Sequence, residues 1–176
     1  MDHMNPDKSM TSRSNHTIRV ADKTDAKQVS SLYKRVWDEY ETQFPKELLQ
    51  SRQPSQERMV QWMDKETYFV AVLEKSIVGV VGCRLMHGTC QLTHMVVEKT
   101  HRNSGIGSSL TKRVMEFAKE NKSLKVWLDT APFMKNAISM YEKFGFSKCG
   151  YLKKHFWGLD IELYELLLNE SKMFLE

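Results

Sequence analysis

No stretch of this chain is apolar for long enough to span a bilayer. The longest such run, residues 77–83, is short and interrupted by Gly79 and Gly82. Cysteine is scarce. Cys83, Cys90 and Cys149 are odd in number and lack C-x-x-C spacing, which argues against a disulfide framework or a zinc site and makes a reducing cytoplasm the expected compartment. A long basic run is missing too: 26 Lys and Arg against 22 Asp and Glu leave a net charge of +4, spread over the chain. That balance suits an anionic ligand, and neither nucleic acid nor a membrane is expected as a partner. Residues 1–16 lack the apolar core of a signal peptide and are expected to be a disordered leader outside the fold. There is no internal repeat and no linker of the kind that separates two domains. What remains, with 41% hydrophobic and 10% aromatic residues overall, suits one domain over residues 17–170 with a sizeable core.

The periodicity predicts the elements in turn. Residues 17–21 alternate weakly as a strand. Asp22 or Thr24 can cap a helix whose apolar positions Val29, Leu32, Tyr33, Val36 and Trp37 recur at helical spacing. Residues 38–54 are polar and aromatic, punctuated by Pro45 and Pro54, and suit a short helix and loop over a site. Another short helix is expected over 56–65. Strands follow at 68–73 and 77–86 around a Glu-Lys-Ser turn, then at 91–97. Ile106, Leu110, Val114 and Phe117 share one face of a helix over 106–120, with Lys112, Arg113 and Lys119 opposite. A buried strand at 124–128, a helix over 133–144 stopped by Gly145, and a hairpin of 146–155 with 161–168 complete the chain. The order is β-α-α-β-β-β-α-β-α-β-β, an α/β layer with a mixed sheet.

The most informative stretch is His-Arg-Asn-Ser-Gly-Ile-Gly-Ser-Ser, residues 101–109, between the 91–97 strand and the 106–120 helix. Two glycines one residue apart let the backbone turn tightly, and the helix start adds unpaired amides and a positive dipole end. Such a loop holds a phosphate or pyrophosphate without a lysine. It is not a Walker loop, since no G-x-x-x-x-G-K-[ST] occurs. Nor is it a dinucleotide fingerprint, since Leu110 stands where the third glycine would be. Taken alone, Gly-x-Gly is equally a strand-to-helix turn that binds nothing.

Arg-x-x-Gly-x-Gly after a strand ending Met-Val-Val, followed by a strand and then Tyr-Glu-Lys-Phe-Gly-Phe, resembles the GNAT superfamily of acyl-CoA-dependent N-acetyltransferases. The matching residues are Val97, Arg102, Gly105, Gly107, Ala137, Tyr141, Gly145 and Phe146, and the resemblance spans residues 17–168. It implies the GNAT fold, a mixed central sheet of about seven strands flanked by about four helices. It also implies acetyl-CoA as co-substrate and no metal. Asn103, Ser104, Gly105, Ile106, Gly107 and Ser108 would give amides to the pyrophosphate, and Arg102 would shape the loop or pair with the phosphates. Met95, Val96 and Val97 would hydrogen-bond the pantetheine arm as a neighbouring strand does, and the Val97 N–H would polarise the thioester carbonyl. Lys112 and Arg113 either reach the adenosine phosphates or are solvated charges.

Tyr141 holds the position of the family's general acid, beside the thioester sulfur; the alternative is a core tyrosine above Gly145 and Phe146. Asp129 ends a strand twelve residues before it. In the branch typified by ribosomal-protein alanine N-acetyltransferases an acidic residue there serves as base, and the other reading is a cap or strand-end carboxylate. Elsewhere in the family Glu or His stands earlier in the preceding strand, where this chain has Gln91 and Thr93, neither of them a base. His94 reads as an ordinary strand histidine and Glu98 as solvated. Relatives carry Asn seven residues before the tyrosine; here Met134 stands there and Asn136 is two residues late. The three cysteines fall within strand patterns, where buried thiols are inert, so direct transfer in a ternary complex is expected rather than a cysteine intermediate.

The acceptor walls implied by the resemblance carry Trp37, Asp38, Glu39, Tyr40, Glu41 and Phe44 on one side and His155, Phe156 and Trp157 on the other. Aromatics with carboxylates suit a cationic amine; equally, this is a loop packed on its own aromatics. Three functions stay open: transfer to a protein or peptide amine, transfer to a small amine such as a polyamine or aminoglycoside, or a non-catalytic acyl-CoA-binding module. A homodimer through sheet edges is a further expectation.

Overall fold

The computed structural model describes residues 15–168. Most of the expected leader (1–14) and the end of the expected domain (169–170) lie outside the described residues. The chain runs β1 (Thr17–Val20), α1 (Ala26–Asp38), α2 (Lys46–Arg52), α3 (Gln56–Met63), β2 (Thr67–Leu73), β3 (Ser76–Met86), β4 (Thr89–Val97), α4 (Ile106–Glu120), β5 (Lys125–Thr130), α5 (Lys135–Lys143), β6 (Ser147–Phe156) and β7 (Leu159–Leu167). Five α-helices form where about four were expected around the sheet, and the short helix expected within residues 38–54 is Lys46–Arg52, which buries Leu48 and Leu49.

Local chemistry explains the boundaries. Asp22 accepts from the Thr24 N–H while Asp25 accepts from the Asp22 N–H, a reciprocal cap that starts the turn leading into α1. Arg19 grips Asp25 with both terminal nitrogens and holds that buried carboxyl below the usual carboxylate range. Glu74 and Lys75 both take positive φ, 48° and 70°, which gives the two-residue β2–β3 turn the twist its strands need. β5 runs two residues further than its apolar pattern suggested, so Asp129 lies within the strand and pairs across to Leu163.

One seven-stranded sheet results, in the order β1-β2-β3-β4-β5-β7-β6. Each neighbouring pair is antiparallel except β4 with β5. Helix α4 lays Ile106, Leu110, Val114 and Ala118 on one face, with Ile138 and Tyr141 of α5 beside them. The other face is covered by α1 and α3 through Val29, Leu32, Tyr33, Val36 and Met59. Because both faces are covered, the centre of β3 is buried residue after residue, which is why it reads as a continuous apolar run rather than an alternation. Among the described residues, no helix is long and apolar enough to cross a membrane.

The parallel pair β4/β5 is where the site forms. Its ladder holds only Cys90 with Val126 and Gln91 with Trp127; beyond them the strands part. An opening at the carboxyl ends of adjacent parallel strands is the usual place for a ligand in an open α/β sheet.

Candidate active site

The gap between β4 and β5 follows from a bulge. Opposite β3 the register steps from Gly82↔Thr93 to Val80↔Val96, so His94 and Met95 together face Val81. His94 takes φ +50°, and its carbonyl accepts a 2.7 Å hydrogen bond from the Tyr33 hydroxyl on α1. Its ring stacks on Trp62 at 4.6 Å and meets the Tyr68 hydroxyl through Nδ1. Burial first, then the charges of Arg52, Arg84 and Arg58, push this imidazole down to about 3, so it is neutral and a poor proton acceptor at physiological pH. The expected ordinary strand histidine is instead the corner of a bulge, which period-two counting does not reveal.

Past the bulge the backbone alternates. Glu98 donates its N–H to Val78 on β3, so Val97 turns its own N–H and C=O to the opposite side, away from β3. Val96 pairs with Val80 and packs its side chain among α1 and α3. Of the three residues expected along the pantetheine arm, Val97 therefore turns its backbone groups away from β3 and Met95 lines the cleft, whereas Val96 is paired with β3, a correction to the sequence reading for Val96.

The glycine loop meets the end of β4. Asn103 and Gly105 take φ of 62° and 87°, and Gly105 is the N-cap of α4 with no side-chain cap. Ser109 donates to the Gly105 carbonyl, while the N–H groups of Ile106, Gly107 and Ser108 find no partner among the described residues. This is the concave row of donors that a pyrophosphate needs. Arg102 is committed elsewhere: its Nε donates to the Val97 carbonyl at 3.1 Å, and its two terminal nitrogens grip Glu39 at 2.9 and 3.0 Å. Of the two roles expected for it, the geometry supports shaping the loop, by tying the end of β4 to α1. With both side chains largely shielded, Glu39→Gln should cost about 1 kcal/mol and lower the melting temperature by roughly 3 °C. An unchanged melting curve would reduce this pair to surface decoration. Lys112 is exposed, and Arg113 is bound to Glu120 and lies over the Phe69 ring at 4.5 Å.

A cleft of about 130 Å³ lies beside the end of β4, lined by Met95, Asp129, Met134 and Tyr141 together with Trp37, Phe44, Arg52 and Phe156. Tyr141 is buried against Phe146 at 5.7 Å, and its hydroxyl makes no hydrogen bond among the described residues. Burial, and after it the charge of Asp129, raise this phenol above its ordinary range, so it stays protonated and able to donate. Asp129 accepts from the Gln91 amide at 3.3 Å. Thr93 donates to Glu66, which also holds Arg84. Gln91 and Thr93, which are not bases, thus position carboxylates instead.

The acceptor carboxylates expected from the sequence are mostly consumed. Asp38 is held by Lys34 and Gln53, Glu39 by Arg102, and Glu41 is exposed outside the cleft. Asn136 is exposed, as its late position implied. Cys83 and Cys90 are buried, but Cys149 is exposed although it lies in a strand, because β6 is a sheet edge.

The Acetyltransferase (GNAT) family model matches residues 30–146. Human N-acetyltransferase 8B is 32% identical over 103 residues, covering 55% of this chain and 45% of that protein. N-acetylaspartate synthetase of Xenopus tropicalis is 33% identical over 90 residues, covering 50% of this chain and 33% of that protein. The match thus spans less than half the length of these curated relatives. An N-acetyltransferase from Staphylococcus aureus Mu50 superimposes with a TM-score of 0.75 at 22% identity, covering 89% of this chain and all of that one, a likeness of fold. A bulged strand parted from its parallel neighbour, an uncapped glycine-led helix beside it and a match over most of the fold lead to one assignment: the chain belongs to the acetyltransferase (GNAT) family.

Proposed function

We propose that this protein is an N-acetyltransferase moving an acetyl group from acetyl-CoA to a primary amine, directly within a ternary complex. Three kinds of donor left without a protein partner among the described residues carry the reading. They are the amides of Ile106 to Ser108 at the start of α4, the Val97 N–H turned away from β3, and the hydroxyl of Tyr141 in the cleft. The helix start suits the pyrophosphate, and the strand edge suits the amide-bearing pantetheine arm.

In the reaction the amine nitrogen bonds the acetyl carbonyl carbon, the C–S bond breaks, and the sulfur leaves as a thiolate that needs a proton. In this reading the Val97 N–H stabilises the oxyanion and Tyr141 gives the thiolate its proton. Asp129, facing the same cleft, takes the proton from the incoming ammonium directly or through water. Asp129→Asn should lower kcat about 10- to 100-fold while coenzyme A binds as before. If the rate matches that of the wild type, Asp129 is a strand-end carboxylate and no base.

The acceptor is an amine small enough for this cleft or the end of a peptide; the relatives' names include a synthetase of N-acetylaspartate, whose amine belongs to an amino acid. The test of the whole reading is calorimetry with coenzyme A, followed by thiol release from acetyl-CoA with peptides, lysine, spermidine and aminoglycosides. Micromolar binding and turnover with at least one amine are expected. A protein that ignores coenzyme A would refute it.

A further inference from the structure

The acceptor half of the cleft has a donor surplus. Arg52, the last residue of α2, is half-buried in its wall and makes no ion pair or hydrogen bond among the described residues. Its guanidinium stands 6.0 Å above the Phe156 ring, another residue of the cleft lining. Trp37 lines the same cleft, and its indole N–H is buried without a partner among the described residues. Against these donors the cleft offers one carboxylate, Asp129, already held by Gln91. The neighbouring acids that would draw a polycation, Asp38 and Glu39, are tied to Lys34 and Arg102. The charge of Arg52 reaches inward as well, since it is the foremost of the cations that keep His94 neutral.

Building on the transfer reading above, we infer that the acceptor carries a carboxylate close to its amine, and that Arg52 binds it as the specificity-determining contact. A guanidinium takes a carboxylate through two parallel N–H···O bonds. The amine is then turned toward Asp129, and the aromatic and aliphatic remainder of the wall receives the acceptor's apolar body. A polyamine finds the opposite environment, a fixed positive charge where its second ammonium would lie. An amino acid fits this pattern; a lysine side chain inside a protein or a peptide N-terminus far from any carboxylate does not.

The decisive comparison needs no variant. With acetyl-CoA saturating, L-phenylalanine is set against L-phenylalaninamide and spermidine; the acid should exceed both in kcat/KM by about tenfold or more, since a site built for a group rejects the analogue that lacks it. Arg52→Gln should erase that advantage through KM and bring the acid down to the amide, while Arg52→Lys keeps part of it. Equal rates for acid and amide, or a preference for spermidine, overturn the inference and leave acetyl transfer standing. If no amine turns over although coenzyme A binds, the transfer reading fails instead. The anion site is then judged by calorimetry with N-acetyl-L-phenylalanine and its amide on the coenzyme A complex: selective binding of the acid supports it, and equal or absent binding overturns it.

Discussion

Tyr141→Phe should lower kcat by about 100- to 1,000-fold while coenzyme A binds as tightly as before. The variant removes one oxygen that makes no hydrogen bond among the described residues, so the helix, its packing on Phe146 and the core around it stay in place. What disappears is the proton for the departing thiolate. The pH profile adds a second reading. The phenol must be protonated to act, and its raised pKa keeps it so. The wild-type rate should therefore show no alkaline fall attributable to Tyr141 below about pH 10. On the acid side the rate should climb as the acceptor amine deprotonates, and the variant should lower that curve without moving its limb. An acyl-CoA-binding module without catalysis gives another outcome: no amine-dependent thiol release in either protein. Calorimetry and stopped-time thiol assays on the two proteins separate these cases.

Gly107→Glu should weaken coenzyme A by about 100-fold or more and leave the fold intact. Here two effects of one charge are set against each other. A carboxylate in the first turn of α4 is favourable to the helix by a few tenths of a kcal/mol, because the dipole and the unpaired amides attract it. The added Cβ would come 3.2 Å from the Met140 sulfur, the end of a flexible side chain that can shift by a few tenths of an ångström. The same carboxylate occupies the donors at Ile106 to Ser108 and repels a diphosphate. Melting temperature should thus hold or rise while affinity collapses, a divergence that a merely structural glycine would not produce. An unchanged dissociation constant would remove the loop from the binding site, and with it the acetyl donor.

Much of the fold was legible from periodicity, because its elements are locally consistent. Helix α4 begins and ends where its apolar face does, and the β2–β3 hairpin sits where Glu-Lys-Ser interrupts two β-rich runs. The helix at Lys46–Arg52 was less distinct, since its apolar side is only Leu48 and Leu49 against Phe44 and Ala131. The cofactor side of the site was legible for another reason: Gly105 takes a positive φ at the start of α4, a demand that is written in residue type. The acceptor side was not. Its expected carboxylates follow from the resemblance, which puts the acceptor walls on the first helices, yet distant partners take them: Gln53 shares Asp38, and Arg102 holds Glu39 across 63 positions.

Residue order alone determined the α/β layering and the glycine turn that opens α4, since each rests on spacing within a few turns of chain, whereas Asp129 and Tyr141 became candidate acid–base residues only through the resemblance to the family. Tertiary structure decided which backbone groups turn away from β3, that His94 makes a bulge held by Tyr33, and that Arg52 is left without a counter-charge in the wall. The reason is that a bulge reverses strand parity, and an ion pair depends on distance in space. Both are set when β4 parts from β5 and the helices close over it, a step to which distant segments contribute together.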